Sequence, residues 1–171
     1  MDETLRLIHD MHIPLSLRIC LATDGSLTHL LEVLFGKEVG VQAVEQEVVS
    51  ADETIAQLLS VPEGSAINRR RVVLSAEGQP LVWALSLSAL ERMPPSLRRD
   101  IGRAEKPIGK ILREHGIESR RELLRVERTS EMASELGCEA VVREYYIIHA
   151  GEPMMWIREV FPIDGRWEGL E

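Results

Sequence analysis

The sequence predicts an α+β domain, one antiparallel sheet of about six strands with helices packed on it. Three observations predict it. Two apolar stretches, Ala66 to Ser88 and Arg143 to Pro162, are rich in the Val, Ile, Leu and aromatic residues that suit pleated, half-buried strands, and each is broken by Gly-x-Pro turn chemistry. The two stretches match at a constant offset: Arg70 with Arg143, Gly78 with Gly151, Pro80 with Pro153, Trp83 with Trp156. A short amphipathic helix precedes each, Glu53 to Leu59 and Glu131 to Leu136. Two copies of helix, strand, turn, strand are too few for a solenoid and predict an internal duplication whose halves pair into one sheet. Finally, 171 residues with 44% hydrophobic and 28% charged content suit one domain spanning 1–171.

The elements follow in order. Residues 2 to 21 carry apolar residues at helical spacing with a break near Pro14. Asp24 or Ser26 caps a helix from Leu27 to Phe35, striped by Leu27, Leu30, Leu31 and Leu34 and ended by Gly36. Glu38 to Ser50 alternates as a strand, and Ala51 to Leu59 is the first repeat helix. After the first hairpin, Met93-Pro94-Pro95 breaks the chain, and Leu97 to Ile101 forms one or two helical turns. Pro107 opens another helix at a first-turn position, and Gly116 stops it. Ile117 to Glu127 is a polar strand, followed by the second repeat helix and hairpin. Asp164 to Glu171 reads as a polar tail.

Composition narrows the function classes. A formal charge of -8 argues against generic binding to nucleic acid or an anionic membrane, but leaves room for a small anion beside a local arginine. No apolar run reaches membrane-spanning length, and Met1-Asp2-Glu3 lacks the basic region of a signal peptide, so a cytoplasmic location is expected. Cys20 and Cys138 are far apart, the five histidines show no metal-ligand spacing, and Gly36-Lys37 lacks the rest of a phosphate loop. No metal site is expected.

Two charges interrupt apolar strand faces. Arg70 shares a face with Val72 and Leu74, and Glu159 shares one with Met155, Ile157 and Phe161. Either both sit at strand ends or pair with each other, or they face one pocket. In the pocket reading, Arg70 offers a bidentate fork to a ligand carboxylate, and Glu159 lies opposite for acid–base work. Arg143, the duplicate of Arg70, is the substitute if Arg70 is exposed. Arg98-Arg99 and Arg120-Arg121 are expected at the surface, and Trp83, Trp156 and Trp167 in packing.

Several blocks, in order, resemble the chorismate lyase family, and most closely its short archaeal-type members. They are Asp24-Gly25-Ser26-Leu27-Thr28, Gly78-Gln79-Pro80 after Arg70, Lys106-Pro107-Ile108-Gly109, and Glu159-Val160-Phe161-Pro162 after Gly151-Glu152-Pro153. The resemblance spans roughly residues 14 to 162. It implies a six-stranded antiparallel sheet enclosing a ligand cavity under helical flaps, and removal of pyruvate from chorismate to leave 4-hydroxybenzoate without cofactor or metal. Arg70 would grip a carboxylate and Glu159 would sit near the ring hydroxyl. Leu27 and Ile108 would contact the ligand through backbone N–H groups, with Thr28 and Gly109 beside them. The partner would be a small anionic aromatic or pre-aromatic carboxylate, and the protein a monomer or homodimer. One departure stands out. The strand after Gly78-Gln79-Pro80 usually carries an arginine, and here it runs Ala84-Leu85-Ser86-Leu87-Ser88.

A second resemblance comes from another class. Leu112-Arg113-Glu114-His115-Gly116-Ile117 and Thr129 to Gly137 look like the UTRA-type effector-sensing domain of bacterial transcription regulators, which uses the same fold. It implies a non-catalytic small-molecule-binding protein. About 14 residues precede the matched region, too few for the helix-turn-helix domain of those regulators.

Overall fold

A computed structural model describes residues 3–170. The predicted helix start at residue 2 and the last tail residue, Glu171, lie outside them. Six antiparallel strands form one sheet: β1 (Val39–Ser50), β2 (Ala66–Ala76), β3 (Gln79–Ala89), β4 (Arg120–Thr129), β5 (Ala140–His149) and β6 (Glu152–Pro162). Their order is β1-β2-β3-β6-β5-β4, so the two hairpins meet at the centre and the polar strands β1 and β4 form the edges. Both hairpins turn through two residues of positive φ, Glu77 (46°) with Gly78 (79°) and Ala150 (51°) with Gly151 (83°). That geometry matches the twist of the flanking strands, and glycine adopts it freely.

Seven helices accompany the sheet: α1 (Glu3–Asp10), α2 (Leu15–Ala22), α3 (Leu27–Phe35), α4 (Glu53–Leu59), α5 (Pro95–Arg103), α6 (Ile108–Glu114) and α7 (Ala133–Leu136). The Ser26 hydroxyl caps α3 by accepting from the His29 N–H, and Gly36 ends it at φ 62°. The Asp52 carboxylate caps α4 by accepting from the Ile55 N–H at 2.8 Å.

The helices sort the core. On one face of the sheet, Leu17, Leu21, Leu27 and Leu31 of α2 and α3 pack with Leu74 and Phe161. Leu97, Ile101, Ile111 and Leu112 of α5 and α6 pack beside them on Tyr145, Ile147 and Ile157. On the other face α4 covers Ile67, Leu87 and Trp156, and Leu136 of α7 covers Val142, Val160 and Trp83.

Three predicted elements differ. The second repeat helix shrinks to the single turn α7, because Met132 sits at φ 69° and starts the helix late. Pro107 precedes α6 as its capping residue instead of lying inside the first turn. The tail is not simply polar: Gly165–Trp167 forms a 3-10 turn that returns Trp167 to the core. The Trp167 ring stands edge-on to Phe35 at 5.8 Å, and its carbonyl accepts from the Ser16 hydroxyl at 2.6 Å.

Candidate functional site

Strand register gathers the charged residues. Arg70 on β2 lies beside Ser86 on β3, Ala84 beside Glu159 on β6, and Glu159 beside Arg143 on β5. Side chains alternate with period two, so Arg70, Val72, Ser86, Ile157, Glu159, Tyr145 and Ile147 project to one face. They line a cavity of about 50 Å³ at the seam between the two core clusters of that face. The starts of α3 (Ser26, Leu27, Thr28) and α6 (Pro107, Ile108, Gly109) close it from above. All six residues proposed from sequence, Arg70, Glu159, Leu27, Thr28, Ile108 and Gly109, border this one cavity. The first N–H groups of a helix have no partner within it, so both helix starts bring free donors to the wall.

The two arginines at matching places in the hairpins, Arg70 and Arg143, have different surroundings. Arg143 is fully buried, and its Nε and Nη2 donate to one Glu159 oxygen at 2.9 and 2.6 Å. Its Nη1 donates to the carbonyls of Cys20, Leu21 and Thr23, tying the end of α2 to the sheet. Burial works against this cation, but Glu159, then Tyr145, outweigh it and hold its pKa above the ordinary arginine value. The other Glu159 oxygen accepts from the Tyr145 hydroxyl at 2.9 Å. Burial, and then the charge of Glu159, raise the Tyr145 pKa and keep the phenol a donor.

Arg70 is 1% exposed and has no carboxylate partner among the described residues. Nη2 donates to the Lys106 carbonyl at 2.9 Å and to that of Ala104 at 3.4 Å, while Nε and Nη1 are buried without a partner. Burial alone pulls its pKa down to about 10. A buried cation normally has a counter-charge. Here the side chain that carries the unpaired N–H groups borders the cavity. Arg70 and Glu159 therefore do not pair with each other, and neither lies at a solvated strand end. Arg143 does not line the cavity and is not free to take a ligand carboxylate.

Glu159 also departs from the picture of a lone carboxylate opposite Arg70. One oxygen is gripped by Arg143 and the other by Tyr145, so it is a fixed acceptor. Tyr145 could have been found from sequence, since it alternates with Arg143 and Ile147 on one strand face. Arg121, expected at the surface with Arg120, instead borders the cavity from β4. Its register opposite Ile147 puts it on the cavity face, and that register is set only by the fold.

A family model described as chorismate pyruvate-lyase Rv2949c-like matches residues 21–167. The chain belongs to this family. Among curated proteins, the chain is similar to the chorismate pyruvate-lyase of Mycobacterium tuberculosis, 28% identical over 157 residues that make up 85% of this chain and 78% of that protein. A provisionally named lyase of Methanocaldococcus jannaschii is 30% identical over 160 residues, 87% of this chain and 79% of its own. Solved structures share the fold. The effector domain of PhnF from Mycobacterium smegmatis superposes with a TM-score of 0.67 at 20% identity, covering 81% of this chain and 88% of that one. The ligand-binding domain of a GntR-family regulator from Bordetella bronchiseptica gives 0.58 at 18% identity, covering 75% and 85%. This chain of a lyase family thus shares its fold with effector domains of regulators, so fold alone does not separate the two functions.

Proposed function

We propose that this lyase-family protein removes pyruvate from chorismate to give 4-hydroxybenzoate. The observation that carries the reading is Arg70: a buried guanidinium without counter-charge, bordering a cavity that also holds an immobilised carboxylate–phenol pair. Arg70 would hold the ring carboxylate through its unpaired Nε and Nη1. Glu159 would accept from the ring hydroxyl and fix the ring, with Tyr145 and Arg143 fixing Glu159 in turn. The N–H groups of Leu27, Thr28, Ile108 and Gly109 would supply further donors where negative charge collects.

The reaction balances without an added reactant. The ether bond between ring and enolpyruvyl oxygen breaks, and its electron pair leaves with that oxygen. The ring carbon bearing the hydroxyl loses its hydrogen as a proton, and the departing enolate takes up one proton at its methylene carbon to become pyruvate. The ring becomes aromatic, so the step runs downhill, and the protein's task is to hold the reactive shape and stabilise the departing charge.

The test is to incubate the protein with chorismate, follow pyruvate by coupled reduction, and identify the ring product by chromatography. Equimolar pyruvate and 4-hydroxybenzoate are expected. A folded protein that releases no pyruvate would overturn the reading. The fold shared with the PhnF effector domain would then favour a small-molecule-binding function, tested by a thermal-shift screen of anionic ligands.

A further inference from the structure

Beyond Arg70 the cavity has one more cation, Arg121, and its surroundings are unlike those of the other arginines on β4. Arg120 pairs with Glu122 at 2.7 Å, Arg125 with Glu127, and Arg128 with Glu139 at 3.0 Å. Arg121 has no carboxylate partner among the described residues. Its Nη1 donates to the Asp24 carbonyl at 3.3 Å, and its Nε is buried without a partner. The guanidinium lies 5.9 Å from the Tyr145 ring centre, beside the phenol that donates to Glu159. β3 contributes Ala84 and Ser86 to the cavity and no cation.

We propose that Arg121 binds the second carboxylate of the substrate, the one on the enolpyruvyl arm, so that the site selects a dianion. The inference rests on the lyase reading and adds a residue to it. Strand order carries the argument. Across the cavity face the side chains run Arg70 on β2, Ser86 on β3, Glu159 on β6, Tyr145 on β5 and Arg121 on β4. The two arginine backbones are four strand spacings apart, roughly 19 Å along the sheet, and long side chains reach inward from both ends. In chorismate the ring carboxylate is at one end. The hydroxyl is opposite it, and the enolpyruvyl ether is on the neighbouring carbon. With the ring carboxylate at Arg70 and the hydroxyl at Glu159, the arm extends past Tyr145 toward Arg121. A guanidinium there offers two parallel N–H groups to a carboxylate.

Product and substrate separate this role. 4-Hydroxybenzoate keeps the ring carboxylate and lacks the arm. Arg121→Gln is expected to raise KM for chorismate roughly 10- to 100-fold, the scale of a lost charge-assisted hydrogen bond. The inhibition constant of 4-hydroxybenzoate should change less than about twofold, and Arg121→Lys should recover part of the loss. Arg70→Met, in contrast, should weaken both ligands. A parallel rise for substrate and product in Arg121→Gln would overturn the assignment, because it would mean general damage to the cavity. Unchanged KM would overturn it too. If the wild-type protein released no pyruvate at all, the lyase reading would fall and the assignment with it. An active wild type with a parallel rise removes only the assignment.

Discussion

Arg70 and Arg143 occupy matching places in the two hairpins, yet one has a carboxylate and the other has none. Each state predicts its own response to mutation. Removing an unpaired buried charge is tolerated when an apolar side chain of similar length replaces it. Arg70→Met should therefore keep or raise the melting temperature while 4-hydroxybenzoate binding falls about 10- to 100-fold. Thermal unfolding with and without product measures both, and a large loss of stability would refute the account. For the Arg143–Glu159 pair the expectation reverses. Arg143→Met or Glu159→Gln alone leaves a buried group without its partner, at a cost of about 3–5 kcal/mol. Combining Arg143→Met with Glu159→Leu should recover much of that stability in urea titrations, though not activity. Turnover by Glu159→Gln therefore has to be read beside its stability, since both should drop.

Among the elements, α3 and α6 meet where they close the cavity, and Gly109 permits the approach. A methyl group at Gly109 would stand 2.9 Å from the Ser26 Oγ that caps α3, and 3.6 Å from Arg121 Nη2. Gly109→Ala should push the two helix starts apart and raise KM for chorismate. Ser26→Ala added to it should relieve the clash and lower KM again, at about 1 kcal/mol of stability from the lost cap. If the double variant behaves no better than Gly109→Ala, the contact is not what matters. Tertiary setting also decided how long the elements are. Glu131 to Leu136 has a helical pattern, but Met132 in the left-handed region leaves room for one turn only.

For the molecule as a whole, the cavity of about 50 Å³ is far below the roughly 300–1,000 Å³ of pockets that hold organic ligands. The cavity must therefore widen to admit a substrate ring, and the expected movement is separation of the α3 and α6 starts, which border it, from the sheet or from each other. A cross-link tests this directly. The Cβ position of Gly109 lies 3.5 Å from Cβ of Ser26, within the roughly 3.5–4.5 Å that a disulfide requires. Ser26→Cys with Gly109→Cys should lose most activity when oxidised and regain it on reduction. Of the native thiols, Cys20 is buried, and burial first of all pushes its thiol up to about 12, while the half-buried Cys138 is replaced by serine in the test protein. Full activity of the cross-linked form would mean that ligands enter by another route. No helix among the described residues is long and apolar enough to cross a membrane.

The sheet was legible in the sequence because strand and turn chemistry are local. Gly78 and Gly151 mark two-residue turns, and period-two apolar runs on either side of them set both hairpins and their buried faces. Helix α3 was legible for the same reason, with Ser26 and Gly36 marking its ends. Arg70, Glu159 and the starts of α3 and α6 were singled out through family blocks and through charges that interrupt apolar faces, and all of them border one cavity. Which charges pair is a long-range matter. Register sets Glu159 beside Arg143, α2 supplies carbonyls to Arg143, and the α5–α6 connection supplies them to Arg70. The same holds for Arg121, one of two adjacent arginines on a polar strand. Pairing with β5 turns Arg121 into the cavity while Arg120 pairs with Glu122 on the exposed edge. Local pattern specifies which elements form, and the packing of elements distant in sequence specifies which buried charges keep a hydrogen-bonding group free.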